Sequence, residues 1–142
     1  MYLSLEYCGQ GDLFDFLKHR AGGPLPKSVA NTIFAKILDC VDCMHTKAEV
    51  AHLDLKLENV LLTDNYEVKL CDLGFSQSIH NRVYRAVGTD GYKAPEIHKL
   101  TRMPNEDESM IHSYSGRQAD IFSLGVILFI LHFGVPPFAE ST

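Results

Sequence analysis

The sequence predicts an α+β domain that is mainly α-helical and carries one short β-hairpin. Apolar residues repeat every three or four positions over residues 27–46, and a second apolar helix covers Ile121–Phe133. Two short apolar runs flank a turn near Asn65, the pattern of a hairpin. With 142 residues, 46% of them hydrophobic and 22% charged, the chain is expected to form one domain.

The first third of the chain is predicted to contain a strand, a turn and two helices. Tyr2–Leu5 is strand-like, and the turn at Gly9 leads into a short amphipathic helix. A longer helix over residues 27–46 begins after Pro26. Its apolar positions are Ala30, Ile33, Phe34, Ile37, Leu38, Val41 and Met44.

The stretch Ala51–Leu62, AHLDLKLENVLL, begins and ends as a β-strand would. Its middle carries four polar side chains, Asp54, Lys56, Glu58 and Asn59. A single half-buried strand explains the alternation as far as Glu58, but Asn59 breaks it just before the next apolar run. We therefore predict two short strands that flank a polar loop.

A hairpin follows this loop. Its strands are Val60–Thr63 and Glu67–Cys71, and residues 64–66 supply the turn signal. Pairing brings the outer ends of the two strands together. Asn59 and Asp72 are therefore predicted to lie opposite one another.

The second half of the chain is predicted to hold an exposed functional loop and a core helix. Residues 73–93 are rich in Gly, Ser and Arg and show no periodicity, which is typical of such a loop. The apolar run Ile121–Phe133 has Asp120 near its start and Gly134 at its end. The run is too short to span a bilayer, so we expect a buried helix.

The bulk composition limits the classes of partner. A net charge of -5 gives no basic field for nucleic acid or an anionic membrane, so neither is predicted as a partner. The N-terminus has no basic region or small-residue cleavage site, and the four cysteines have no framework spacing. The expected localisation is cytoplasmic, with the nucleus not excluded.

The polar loop and the hairpin mouth have the residue types of a phosphoryl-transfer site. Mg²⁺ prefers oxygen ligands such as those of Asn59 and Asp72. Lys56 is suited to hold a phosphoryl group, and Asp54 is suited to accept a proton or orient a nucleophile. Spacing alone leaves open a solvated turn that carries unrelated charges.

Four segments resemble those of protein kinases. His52–Asn59, HLDLKLEN, resembles the catalytic loop H-R-D-L-K-x-x-N, and Asp72–Gly74, DLG, resembles D-F-G. Gly88–Glu96, GTDGYKAPE, resembles the G-T-x-x-Y-x-A-P-E of serine/threonine kinases, and Asp120 with IFSLGVILFIL resembles the large-lobe core helix. The resemblance implies that residues 1–142 are a partial kinase domain: hinge, catalytic loop, activation segment and core helix, with the small lobe missing.

The resemblance also implies site residues and cofactors. Asp54 matches the catalytic aspartate and Lys56 the phosphate-contacting lysine, while Asn59 and Asp72 match the Mg²⁺ ligands. Thr89 matches the residue that packs beside the catalytic aspartate and lysine. The implied cofactors are ATP and Mg²⁺.

Further positions of the resemblance concern the nucleotide and the substrate. Glu6 and Cys8 occupy the hinge, where backbone groups would bond adenine. Leu61 would lie under the adenine ring, and Asp12 stands where a ribose contact is common. Glu58 stands where some relatives contact a basic substrate side chain, although a merely solvated carboxylate is the alternative.

The implied function is transfer of the γ-phosphoryl group of MgATP to Ser or Thr of protein substrates. Because the family's glycine-rich loop and strand lysine precede the hinge, we expect these 142 residues to be inactive alone. The alternative is a catalytically silent, pseudokinase-like binding or scaffold fragment. A third hypothesis is a metal-dependent phosphohydrolase, in which GTDGYKAPE would have no evident use.

Two of the departures from the family pattern concern regulation. Leu53 replaces the arginine of H-R-D that grips a phosphorylated activation loop in many kinases, so control by phosphorylation of Ser76, Ser78 or Thr89 is not expected. The stretch 98–116 is long and acidic, and we interpret it as a solvated insertion. A regulatory partner that binds through 98–116 is the alternative.

Overall fold

The computed structural model describes residues 2, 4–19, 24–101 and 112–138. The helices in this part of the chain are α1 (Leu13–Lys18), α2 (Lys27–Thr46), α3 (Pro95–Thr101) and α4 (Gly116–Phe133), with a 3₁₀ turn at Leu57–Asn59. The strands are β1 (Val50–Ala51), β2 (Val60–Leu62), β3 (Val68–Leu70), β4 (Gln77–Ser78), β5 (Arg82–Val83) and β6 (Tyr114–Ser115). Helices with small sheets agree with the predicted α+β class.

Helix α2 has the predicted bounds and packs on α4 in the larger apolar cluster. It begins after Pro26, whose missing N–H loses no helical hydrogen bond at that position. Ala30, Ile37 and Val41 are each at most 2% exposed, so the helix buries one stripe of its surface. Leu55 and Leu57 of the polar loop belong to the same apolar cluster as this stripe.

Helix α4 is confirmed as a core helix that ends at Gly134. Gly134 has φ 72, a left-handed conformation that glycine adopts without steric cost, and its N–H donates to the carbonyl of Ile130 at 2.8 Å. The helix has 18 residues and by length and composition alone could cross a membrane. The helix is therefore longer than the apolar run Ile121–Phe133, and the prediction that it is too short to span a bilayer was wrong. Core helices of soluble proteins also meet this criterion of length and composition. Asp120 of α4 is buried within the fold.

The predicted hairpin forms with a register that differs by one residue from the expected one. Strands β2 and β3 pair Leu61 with Lys69, and the N–H of Cys71 donates to the carbonyl of Asn59 at 3.0 Å. Asn59 therefore lies opposite Cys71, and Asp72 follows one position later. The turn is centred on one residue rather than between two, which shifts the partner.

One expectation about the remaining segments was wrong, and another was incomplete. The predicted strand Tyr2–Leu5 is not formed by its described residues, because nothing in the described part of the chain pairs with them. Segment 73–93 is not merely a loop, since β4 pairs with β1 and β5 pairs with β6. Of the stretch 98–116, positions 102–111 lie outside the described residues, so the structure does not test the partner hypothesis there.

Two glycines of α4 provide a matched stability test. A Cβ on Gly116 would lie 2.8 Å from the Cβ of Ala51, whereas a Cβ on Gly125 would meet nothing within 4 Å. Gly116→Ala is expected to lower the free energy of unfolding by about 1–3 kcal/mol through overpacking. Gly125→Ala is expected to raise it by about 0.5–1 kcal/mol through helix propensity. Urea denaturation measures both, and equal effects would contradict the packing assignment.

Candidate active site

The backbone of the polar loop is fixed by one buried carboxylate from α4. Asp120 is 1% exposed, and its Oδ2 accepts from the N–H of His52 at 2.8 Å, while Oδ1 accepts from the N–H of Leu53 at 2.8 Å. His45 Nε2 lies 2.7 Å from the same Oδ2. Leu53 has φ 67, which is unusual for a non-glycine residue, and these bonds hold it there. These bonds fix the backbone of the two residues that precede Asp54.

Asp54, Lys56 and Thr89 form a triangle of polar contacts. The Thr89 hydroxyl donates to Asp54 Oδ1 at 2.7 Å and accepts from Lys56 Nζ at 2.9 Å. Lys56 Nζ also lies 3.2 Å from Asp54 Oδ2, so it is paired with both partners. Asp54 is 7% exposed, which strengthens these charge-assisted contacts relative to those in water. Thr89 thus joins segment 73–93 to the polar loop.

Asn59 extends this triangle at the start of β2. Its Nδ2 donates to the carbonyl of Asp54 at 2.8 Å and approaches Asp54 Oδ2 at 3.3 Å. Both contacts of the Asn59 side chain with the described residues are made by its amide nitrogen. The oxygen of Asn59 is therefore the atom of this amide available to a ligand.

Asp72 lies just beyond the hairpin and is exposed. Its φ is 60, and its Oδ1 accepts from the N–H of Gly74 at 3.2 Å, which orients the carboxylate. The described residues contain no cluster of three or more His, Cys, Asp or Glu side chains that could enclose a metal ion. A hard cation held by Asn59 and Asp72 would need further oxygen ligands, and phosphate groups supply these for Mg²⁺. The donor set fits Mg²⁺ bound together with a phosphate ligand.

The two residues predicted to lie in a hinge, Glu6 and Cys8, make local contacts. Glu6 is exposed and forms a surface ion pair with Lys69 at 3.1 Å. The carbonyl of Cys8 accepts from the N–H of Gly11 at 3.1 Å, which closes the turn before α1. The predicted adenine contacts of Glu6 and Cys8 are not tested by these bonds.

The other two predicted nucleotide contacts lie beside one another. Asp12 and Leu61 form an isolated antiparallel bridge, so the turn before α1 packs on β2. Asp12 is also the N-cap of α1, and its Oδ1 accepts from the N–H of Asp15 at 2.8 Å. The cap uses one carboxylate oxygen, and the ribose role of Asp12 stays a prediction, as does the adenine role of Leu61.

A groove of about 710 Å³ adjoins the triangle on the side of α1. Glu58 is exposed at its edge, and Thr89 also lines it. Its apolar wall includes Phe14, Leu17, Leu25, Leu57, Val126 and Ile130. A polypeptide chain in this groove would pass both the Glu58 carboxylate and the polar loop.

A comparison of the whole chain with family models identifies its family. The model of the protein kinase domain matches residues 1–142. The chain belongs to the protein kinase family. Kinases of this family generally use ATP and Mg²⁺ and act on protein substrates.

Similar proteins include serine/threonine kinases of animals and plants. The phosphorylase b kinase gamma catalytic chain, liver/testis isoform, of Rattus norvegicus and that of Homo sapiens are each 36% identical to this kinase chain over 140 residues, covering 97% of it and 32% of the relative. The serine/threonine protein kinase OSK3 of Oryza sativa subsp. indica is 37% identical over 145 residues, covering 99% of this chain and 25% of the relative. The chain thus spans between a quarter and a third of the length of these relatives.

One buried polar pair behind the site was not predicted from the sequence. His45 and Asp120 are 3% and 1% exposed. The sequence motifs assign no role to His45 and place Asp120 only at the start of the core helix. A signal was available. His45 continues the buried stripe of α2 four residues after Val41, and Asp120 adjoins an apolar run, where a charge is rarely buried without a partner.

Burial lowers the acidity of two tyrosines, one beside the groove and one on β6. It raises the pKa of Tyr92, which lies beside the groove, to about 12, and it raises the pKa of Tyr114 on β6 to about 12. The negative charge of Glu58 adds to the shift at Tyr92. Burial also raises the pKa of the Cys71 thiol, and neighbouring Asp72 contributes in the same direction. All three groups are therefore neutral near pH 7.

Proposed function

We propose that the protein containing this kinase domain transfers the γ-phosphoryl group of MgATP to Ser or Thr hydroxyls of protein substrates. The observation that carries the proposal is the triangle of Asp54, Lys56 and Thr89, in which a carboxylate and an ammonium group converge within 3.2 Å. Phosphoryl transfer depends mainly on positioning and electrostatic stabilisation. A rigid pair of opposite charges provides both.

Each side chain of the site has a distinct part in this proposal. Asp54 would orient the substrate hydroxyl and accept its proton as the new P–O bond forms. The bond between the γ-phosphorus and the bridging oxygen of ATP would break in the same step, with ADP as the leaving group. Lys56 would hold the transferred phosphoryl group through its ammonium charge. Asn59 and Asp72 would bind Mg²⁺, and a bound Mg²⁺ neutralises phosphate charge.

In this proposal the nucleotide and the protein substrate bind on two different sides of the site. Cys8, Glu6, Leu61 and Asp12 would lie along the nucleotide. A protein substrate would lie in the groove of about 710 Å³, where exposed Glu58 would attract a basic side chain. Thr89 lines this groove and bonds Asp54, so a bound polypeptide would place a hydroxyl near the carboxylate.

Removing the charge of Asp72 tests this function. Asp72→Asn keeps a residue type that tolerates the positive φ of this position, so the fold should persist. We expect kcat of the full-length protein to fall by about 10³-fold, which corresponds to about 4 kcal/mol. Transfer of labelled phosphate from ATP to a protein substrate measures it.

The control for this experiment is Asp39→Asn, which removes a charge from an exposed position of α2. It should leave kcat within about twofold, as for an ordinary surface substitution. If Asp72→Asn has the same kcat as the wild type, the proposed role of Asp72 as a metal ligand is wrong.

A second candidate function is a catalytically silent binding or scaffold module. Large apolar side chains are exposed on the hinge and beside Asp72: Leu5 (76%), Tyr7 (84%), Leu73 (55%) and Phe75 (44%). Exposed apolar surface of this kind marks interaction sites. Absence of phosphotransfer by the full-length wild-type protein, with MgATP present at millimolar concentration, would favour this second candidate.

The hydroxyl of Thr89 has its own expected effect. Thr89→Val keeps the shape but removes the donor to Asp54 and the acceptor for Lys56, so kcat/KM should fall by about 10- to 100-fold. Thr89→Ser keeps the hydroxyl and should stay within about threefold. Steady-state kinetics measures kcat/KM of both variants. A larger loss in Thr89→Ser than in Thr89→Val would attribute the effect to the methyl group rather than to the hydroxyl.

A further inference from the structure

Leu53 occupies an apolar cluster rather than a charged pocket. Its side chain is 6% exposed, and the other buried members of the cluster are Ala51, Val83, Ala94, Ile97, Leu100, Tyr114 and Ala119. A Cβ on Gly116 would lie 3.1 Å from Leu53 Cδ2, so the side chain also fits closely against the start of α4. A cationic side chain at position 53 would bury its charge among these apolar groups, which is unfavourable.

The same cluster includes one strand of the activation segment and its partner strand. Val83 of β5 pairs with Tyr114 of β6, and both side chains are 3% exposed. Arg82 Nε donates to Ser113 Oγ at 2.9 Å, and the Tyr114 hydroxyl donates to the carbonyl of Arg85 at 2.9 Å. Apolar packing and hydrogen bonds therefore fasten residues 82–85 to β6.

This attachment continues to Thr89. A Cβ on Gly88 would lie 3.0 Å from the carbonyl oxygen of Leu53, so the backbones of the two residues approach closely just before Thr89. Gly88 has φ 105, which a side chain would make costly. Leu53 thus contacts the activation segment next to the residue that bonds Asp54.

A phosphate on Thr89 would not strengthen this arrangement. The hydroxyl already donates to Asp54 and accepts from Lys56. Phosphorylation would remove that donor and place about two negative charges beside the Asp54 carboxylate, which is repulsive. The observed arrangement is therefore that of the unmodified threonine.

We propose that Leu53, Val83 and Tyr114 form an apolar clasp that holds the activation segment in its ordered conformation without a phosphate group. Leu53 is then a positioning residue for the proposed phosphotransfer, on which this inference rests, because it fixes Thr89 against Asp54. Enzyme treated with phosphatase is expected to keep its full activity.

Hydrogen exchange of the dephosphorylated full-length protein tests the clasp directly. Amides of residues 79–89 should exchange slowly in the wild type, and Leu53→Arg should accelerate them by about tenfold or more while α2 amides stay protected. Leu53→Met conserves volume and should stay within about twofold of the wild-type rate. Leu53→Arg should also lower kcat without raising KM for ATP.

A surface variant keeps the test decisive if Leu53→Arg fails to fold. Arg82→Ala removes only the exposed contact with Ser113 and should accelerate the same amides about threefold, whereas Arg117→Ala, the matched control on α4, should not. Fast exchange of residues 79–89 until they are phosphorylated, or a tenfold loss of kcat on phosphatase treatment, would overturn the clasp. An inactive wild type would count against the kinase function, while the exchange rates would still decide the clasp.

Discussion

Asp120→Asn is expected to lower the free energy of unfolding by about 3 kcal/mol, although the two side chains have nearly the same shape. Each oxygen of Asp120 accepts a backbone N–H, from Leu53 on Oδ1 and from His52 on Oδ2. An amide has only one acceptor oxygen. Whichever way Asn is turned, its NH₂ group faces a backbone donor that cannot rotate away.

The side chain of His45 cannot relieve this conflict, because it contacts Oδ2 together with the N–H of His52. Asp42→Asn on the exposed face of α2 is the matched control and should change stability by less than about 0.5 kcal/mol. Urea denaturation followed by circular dichroism measures both. If Asp120→Asn lowers the free energy of unfolding by less than about 1 kcal/mol, the carboxylate of Asp120 does not hold the backbone of the polar loop in place.

The parts of the fold that the sequence predicts well are those with a strong local period. Helix α2 is predicted with its observed bounds because its buried stripe repeats over 20 residues. The hairpin is predicted except for its register, since the turn residues 64–66 permit a shift by one position. Tyr2–Leu5 has the local pattern of a strand, but a strand also needs a partner, which local pattern cannot supply.

The candidate site is only partly predictable for a different reason. Asp54, Lys56 and Asn59 lie within six residues, so a loop motif brings them together. The contact of Thr89 with Asp54 spans 35 positions and that of Asp120 with His52 spans 68. Such contacts depend on how α4 and the activation segment pack around the loop. Local patterns indicate that His45 and Asp120 are buried, but they do not indicate that the two residues pair across 75 positions.

Asp54→Asn is expected to leave the domain folded and to lower kcat by about 10²- to 10⁴-fold, the usual contribution of a general base. The amide keeps the size of the carboxylate but cannot accept a proton from a substrate hydroxyl at neutral pH. It also loses the charge that pairs with Lys56 Nζ at 3.2 Å, so the ammonium group is less firmly held. KM for ATP should change by less than about threefold, because Asp54 acts on the hydroxyl rather than on the nucleotide.

Steady-state and single-turnover kinetics of the full-length protein separate this effect from a binding defect. A chemical defect lowers the single-turnover rate at saturating MgATP, whereas a folding defect lowers the fraction of active enzyme and leaves the rate of that fraction unchanged. Asp39→Asn, equally conservative and exposed on α2, should match the wild type in both. If Asp54→Asn keeps more than about a tenth of the wild-type kcat, Asp54 is not the base, and its buried carboxylate serves only to hold Lys56 and Thr89 in place.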